Sequence, residues 1–155
     1  MTKLIEPLEF LKTIHQKGVR YLLIGRQAVI AYGGPVQSFD YDIYIDSSQE
    51  NLDLLLGIAQ DFDLLPGVRE KELQKHFKFR LENDFALDVF RAKKLGLKGQ
   101  SLTFDEMYER RQILKGGSGL KLNLPSIDDL IFLKKLRSSP KDLNDIEYLQ
   151  AIKKG

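Results

Sequence analysis

The chain's 155 residues are 43% hydrophobic and 30% charged, the make-up of one ordinary globular domain and not of a disordered, collagen-like or coiled-coil chain. It has no cysteine and two histidines, His15 and His76; this excludes a disulfide frame, thiolate zinc, a cysteine nucleophile and a histidine-rich metal site, and no apolar run nears the ~18 residues of a membrane span. The net charge of +2 divides unevenly, with nine acids and five bases over residues 1–66 and thirteen acids and nineteen bases over residues 67–155. That division is either scattered solvated charge or an acidic, metal-carrying site facing a phosphate-holding surface.

No internal repeat or low-complexity tract is present. Met1 to Phe10 lacks a basic segment followed by an apolar core, and lipid-anchor motifs are missing, so a cytoplasmic setting is expected. A first helix is predicted from near Pro7, with Leu8, Leu11 and Ile14 on one stripe and Gly18 at its end. Tyr21 to Ile24 reads as a buried strand, followed by Gly25 and a short helix over Gln27 to Tyr32. Tyr41 to Ile45 reads as the second strand. Ser47 and Glu50 have the spacing of a capping box, ahead of a helix carrying Leu52, Leu55, Leu56, Ala59 and Phe62. Pro66 and Gly67 mark a turn. Two or three strands are expected from about Val68 to Arg91, with a turn at Glu82 to Asp84. Thr103 and Glu106 form a second capping box before a short helix. Gly116, Gly117 and Gly119 read as a loop, and Leu120 to Leu124 as a short strand. Ser126 and Asp129 cap a helix to about Arg137, and Ser139, Pro140 and Asp142 open another with Leu143, Ile146, Leu149 and Ile152. The composition shift near Pro125 divides a single domain into a mixed body, 1–124, and a C-terminal helical hairpin, 125–155.

Three features carry chemistry. Gly25 lies between an apolar strand and a helix, where a backbone can approach a ligand and unpaired N–H groups face an anion; the bland alternative is a turn glycine. Asp40 and Asp42, within Ser38-Phe39-Asp40-Tyr41-Asp42, are two apart at the mouth of a strand, so period-two alternation puts both carboxylates on one face. They are either the polar edge of a solvent-facing strand or a pair that repels unless a cation lies between them, for which oxygen ligands favour magnesium. Asp88 interrupts the apolar run Phe85-Ala86-Leu87-Asp88-Val89-Phe90. It is either paired with Arg80 or Arg91, or the third carboxylate of a divalent-metal set.

The order of these pieces resembles the nucleotidyltransferase superfamily, the DNA polymerase beta-like fold. There an apolar strand, a glycine pair or Gly-Ser, a helix, Asp-x-Asp on the next strand and a third acid follow in turn; here they are Ile24-Gly25, Asp40-x-Asp42 and Asp88, over about residues 20–90. The tail, Asp129-Leu130-Ile131-Phe132-Leu133-Lys134 and then Lys141-Asp142-Leu143-Asn144-Asp145, is similar to small bacterial nucleotidyltransferases such as the AbiEii-type toxins. The resemblance implies an α+β fold, a small mixed sheet flanked by helices with a C-terminal helical hairpin. It implies Asp40, Asp42 and Asp88 as catalytic, metal-binding residues for magnesium or manganese. It also implies Gly25, Arg26, Ser38 and Lys134 as residues meeting a nucleoside triphosphate. For Lys134 the alternative is a solvated helix lysine, and for Asp142 an acid favoured in a first helical turn.

The chain departs from the pattern twice: Arg26 stands where the family has Gly or Ser, and Ser138-Ser139-Pro140 replaces the arginine often found before the Lys-Asp pair. Arg26 either clamps a phosphate or closes the pocket. His15 and His76 read as structural or solvated. The loop Gly116-Gly117-Ser118-Gly119 lacks P-loop spacing. Arg91, Lys93, Lys94 and Lys98 form a basic cluster, either a solvated loop or a guide for a polyanion. The expected activity is metal-dependent transfer of a nucleoside monophosphate to a hydroxyl, with pyrophosphate released, on an RNA, protein or other acceptor. A toxin with an antitoxin partner fits the same resemblance, and the small size suggests a shallow site that a homodimer or a partner would complete. The alternative is a non-catalytic nucleotide- or partner-binding protein on the same fold, without membrane contact.

Overall fold

The computed structural model describes residues 6–67 and 77–155. The expected strand residues from Val68 to His76 lie outside them. Helix α1 (Glu6–Gln16) leads to β1 (Tyr21–Ile24), α2 (Gly25–Ala31), β2 (Tyr41–Ile45) and α3 (Gln49–Asp61). Short β3 (Leu65–Pro66), β4 (Lys78–Glu82) and β5 (Ala86–Arg91) complete a sheet, which among the described residues has five strands in the order β1-β2-β5-β4-β3. Strands β2 and β5 run parallel, and the other neighbours are antiparallel.

Alternation along these strands divides the apolar side chains between two faces. Tyr21, Leu23, Ile43, Ile45, Leu87 and Val89 point into the main core, where Phe10, Leu11 and Ile14 of α1 and Leu52, Leu55 and Ile58 of α3 cover them. Each such aliphatic side chain contributes about 1.5–3 kcal/mol by leaving water. Leu22, Tyr44 and Phe90 point to the other face and meet Leu102, Phe104 and Met107. Asp42 and Asp88 share that second face, two residues from Tyr44 and Phe90 along their strands.

The C-terminal elements are a helix pair, α5 (Ile127–Arg137) and α6 (Pro140–Lys154). Ser126 caps α5 by accepting from the Asp129 amide, as expected. The left-handed backbone of Ser138 (φ 52°) ends α5. Ser139 and Asp142 form a reciprocal capping box with Pro140 in the first turn of α6. The hairpin is tied to the body: Leu130, Ile131, Ile146 and Leu149 belong to the main core, and the Tyr32 hydroxyl donates to the Pro125 carbonyl at 2.5 Å.

Several expectations need correction. Helix α2 begins at Gly25, not Gln27. The cap of α3 is Ser48, which accepts from the Asn51 amide at 3.2 Å; Ser47 and Glu50 form no capping box there. Buried Asn51 decides that register, because its amide bonds the Arg20 amide and carbonyl and the Asp46 carbonyl. The basic segment after β5 is not a plain loop: β6 (Leu95–Leu97) and β7 (Gln100–Leu102) form a hairpin. Its turn residues Lys98 and Gly99 have φ of 49° and 80°, as two-residue hairpin turns of the primed type require. Helix α4 (Phe104–Glu109) has the expected Thr103–Glu106 box. Strand β8 (Gln112–Lys115), unanticipated, pairs with β9 (Lys121–Leu124) across the Gly117–Gly119 turn. His15 bonds the Tyr21 hydroxyl at 3.1 Å, a structural link between α1 and β1. Among the described residues no helix is long and apolar enough to cross a membrane.

Candidate active site

Strand pairing assembles the carboxylates. The antiparallel β1–β2 register sets Ile24 opposite Asp42, so the chain leaves β1 at Gly25 directly beside that side chain. Gly25 has φ of +70°, and a Cβ placed there would lie 2.6 Å from Asp42 Oδ2. Only glycine meets both demands. The parallel β2–β5 register then sets Asp42 beside Asp88 on the same face. Burial raises the Asp42 carboxyl above its ordinary range, and the charge of Asp88 adds to this; Arg137 and Lys78 pull the other way, and Asp40 raises it further.

Asp88 is partly covered, with 13% of its side chain exposed, and Arg80 holds it through Nε–Oδ1 at 3.0 Å and Nη2–Oδ2 at 3.4 Å. Lys78 Nζ lies 3.9 Å from the same carboxylate. Of the two ion pairs open to Asp88 from the sequence, Arg80 forms one; Arg91 instead donates to the Ser47 carbonyl. Asp40 sits exposed, one residue before β2. Its amide donates to Ser38 Oγ at 3.1 Å, and the Ser38 carbonyl accepts from Gln27 at 2.8 Å. The Ser38 hydroxyl therefore shapes the turn that carries Asp40.

Among the described residues no three His, Cys, Asp or Glu side chains are gathered closely enough to form a metal cluster as they stand. The donor set nevertheless suits a hard divalent cation: it consists of carboxylates alone, and two of them are adjacent and repel. Arg80 and Lys78 supply the positive charge beside Asp88.

Of the residues expected to meet a nucleotide, Lys134 of α5 and Arg26 of α2 join a second cluster around the acids of α6. Lys134 is only 5% exposed; its ammonium lies 2.9 Å from Asp145 and 3.4 Å from Asp142. Asp145 is fully buried and also receives Arg26, whose Nη2 lies 3.3 Å from Oδ1. Burial works against the Asp142 charge, but bonds from the Ser139 hydroxyl and amide, with Lys134, outweigh it and hold the carboxyl below its ordinary range. Arg26 thus reaches across to α6, and Lys134 sits between two acids. Sequence spacing alone left both side chains free to meet a phosphate.

Two cavities open on this region. A polar one of about 360 Å³ is lined by Gly25, Arg26, Ser38, Asp40, Asp42 and Arg137, with the start of α6. An apolar one of about 410 Å³ lies between Ile24, Tyr44 and Phe90 of the sheet and Leu130, Leu133 and Leu136 of α5. Gly25, Lys134 and Arg137 border both. Arg137 was missed from sequence; its spacing of three from Lys134 on α5, one turn of the same face, was the available signal.

No family model matches the chain, and no curated protein matches it. Solved structures do. The lincosamide antibiotic adenylyltransferase LnuA, bound to lincomycin, superposes with a TM-score of 0.66 at 16% identity, over 97% of this chain and 99% of that one. The fold is that of the nucleotidyltransferases. A Thermotoga maritima protein assigned to nucleotidyl transfer gives 0.60 at 18% identity, over 97% and 94% of the two chains. The antibiotic-resistance factor ANT(2'')-Ia, in complex with adenylyl-2''-tobramycin, gives 0.58 at 14% identity, over 90% and 83%. The nucleotidyltransferase fold expected from the motif order is thus present over nearly the whole chain, hairpin included.

Proposed function

We propose that this protein is a metal-dependent nucleotidyltransferase acting on a small hydroxyl compound, with body and hairpin working as one domain. The observation that carries the reading is the Asp42–Asp88 pair, set side by side on one sheet face by register and approached by a glycine that tolerates no side chain. Such a pair costs the fold stability at neutral pH, as repelling carboxylates do, and it suits a site that takes a cation.

Asp40 and Asp42 would hold magnesium or manganese together with the triphosphate. A bound divalent ion would neutralise phosphate charge and make the acceptor hydroxyl more acidic. Arg137 faces the polar cavity and counters the phosphates, while Ser38 keeps Asp40 in place and Arg26 stays on Asp145. Asp88 orients the acceptor hydroxyl and takes its proton. The acceptor oxygen bonds to the α-phosphorus, the bond from that phosphorus to the bridging oxygen breaks, and pyrophosphate leaves. The capture of Arg26 by Asp145 supports an open pocket, and so supports catalysis over a non-catalytic binding role.

The neighbours named for adenylyl transfer to antibiotics suggest ATP as donor. The test is calorimetric titration with the four ribonucleoside triphosphates, with and without magnesium, followed by a pyrophosphate-release assay. Magnesium-dependent binding lost in Asp40→Ala is expected; no binding to any of the four refutes the reading. A toxin role of the AbiEii type is a second reading, which rests on the resemblance of the tail. It requires growth arrest on expression, lifted by Asp40→Ala.

A further inference from the structure

The apolar cavity is not used by the phosphate chemistry described above. At about 410 Å³ it has the size of a small-molecule site. Its floor is Tyr44 and Phe90, and its roof is Leu130 and Leu133. All the charges on its border are positive: Lys93, Lys94, Lys134 and Arg137, with no acid among the described lining residues. Lys134 is already neutralised by Asp142 and Asp145, which leaves Lys93 and Lys94 to act on a ligand, with Arg137 shared with the polar cavity.

The rim is built. The Tyr44 hydroxyl donates to the Lys93 carbonyl at 3.0 Å and accepts from its amide at 3.2 Å, which fixes Lys93 above the floor. Lys93 Nζ stands 4.2 Å from the Phe77 ring centre, and the Arg137 guanidinium 5.3 Å from that of Phe90. Arg137 also borders the polar cavity and acts on Asp42. A molecule lying in the apolar cavity would therefore present one end to the carboxylates.

We propose that this cavity binds the acceptor, and that the acceptor is a small hydroxyl compound with an apolar body and an anionic group. A polycation such as an aminoglycoside would meet like charge at the rim and bury its polar groups against leucines. An anion gains Lys93 and Lys94 while its apolar body covers Phe90 and Leu133. The assignment of the ligand as acceptor rests on the proposed nucleotidyl transfer; the cavity's chemical preference does not.

The probe is 8-anilino-1-naphthalenesulfonate, an apolar aromatic anion, followed by its fluorescence on the full chain. One saturable site is expected. The double variant Lys93→Glu/Lys94→Glu should weaken it by about tenfold or more, while binding of the neutral analogue N-phenyl-1-naphthylamine should stay within about twofold. Leu133→Trp, which fills the cavity, should weaken both probes. Tobramycin should not displace the anion, and ATP with magnesium should bind alongside it. Equal binding to wild type and both variants, or displacement by tobramycin, would overturn the charge preference. Displacement by ATP would give the cavity to the nucleobase and overturn the acceptor assignment. Asp42→Asn should leave probe binding intact, so a failure of nucleotidyl transfer and a failure of this proposal are read separately.

Discussion

Replacing Lys134 with methionine separates two roles for that lysine. Its ammonium is buried and lies within 2.9 Å of Asp145 and 3.4 Å of Asp142. Methionine keeps the volume of the side chain but removes the charge, so two buried carboxylates lose their shared cation. Breaking a buried ion pair from one side costs about 3–5 kcal/mol. Arg26 remains on Asp145 and Ser139 on Asp142, so the lower end, about 3 kcal/mol, is expected. For a domain of this size that is a fall in melting temperature of roughly 6–12 °C, read by circular dichroism or calorimetry. A double-mutant cycle with Asp145→Asn should return a coupling of about 1–3 kcal/mol. If Lys134 instead serves as a free phosphate-binding cation, Lys134→Met will leave the melting temperature within about 2 °C and weaken nucleotide binding. That outcome would refute the ion-cluster argument.

Three further outcomes follow from the same geometry. Asp42→Asn should abolish transfer yet raise stability at neutral pH. A carboxyl whose folded-state value is raised binds protons more tightly in the fold, so its charge lowers stability as pH rises through that value; melting temperatures from pH 4 to 8 should rise less steeply, or fall more steeply, in wild type than in the variant. Gly25→Ala places a Cβ 2.6 Å from Asp42 Oδ2 at a φ of +70°; the left-handed backbone alone costs about 1–2 kcal/mol, and the displaced Asp42 should reduce kcat far more than stability falls. Asp142, held below its ordinary value, gives stability that is present above the unfolded carboxyl value and lost as pH falls through the folded one. Asp142→Asn should therefore lower stability at pH 7 and flatten the acid side of the stability profile.

The local parts of this fold were legible in the sequence. Tyr21–Ile24 and Tyr41–Ile45 have the predicted bounds because a four-residue apolar run, and a five-residue run broken only by Asp42, lie between turn signals and leave few other choices. The caps at Thr103, Ser126 and Ser139 were readable because each depends on residues three apart. The cap of α3 was not, since Asn51 bonds Arg20 and Asp46, and the partner at Arg20 lies thirty-one positions away. The hairpin at Leu95–Leu102 was hidden by the basic run just before it, Arg91, Lys93 and Lys94, although Lys98-Gly99 carries the turn signal. Of the site, the order Gly25, Asp40, Asp42, Asp88 could be read. The partner chosen by Arg26 could not: Asp145 is 119 positions on, and only the packing of α2 near α6 brings them together.

The uneven charge along the chain has a partial counterpart in space. Asp40 and Asp42 come from the acidic first part of the sequence, and Arg137, Lys134 and Lys78 from the basic second part. They meet because β1 and β2 are antiparallel, which returns Gly25 to the mouth of β2, while α5 lies over the second face of the same sheet. Asp88 breaks the division, being an acid of the basic part. That exception accounts for the electrostatics of the site. Burial, then the Asp88 charge on the adjacent strand, raise the Asp42 carboxyl, and Arg137 and Lys78 offset this only in part. Arg80, on the neighbouring strand, lies opposite Asp88 and pairs with that acid. The sheet thus holds a carboxylate pair that basic side chains do not fully neutralise, the condition that the proposed cation-dependent site would require.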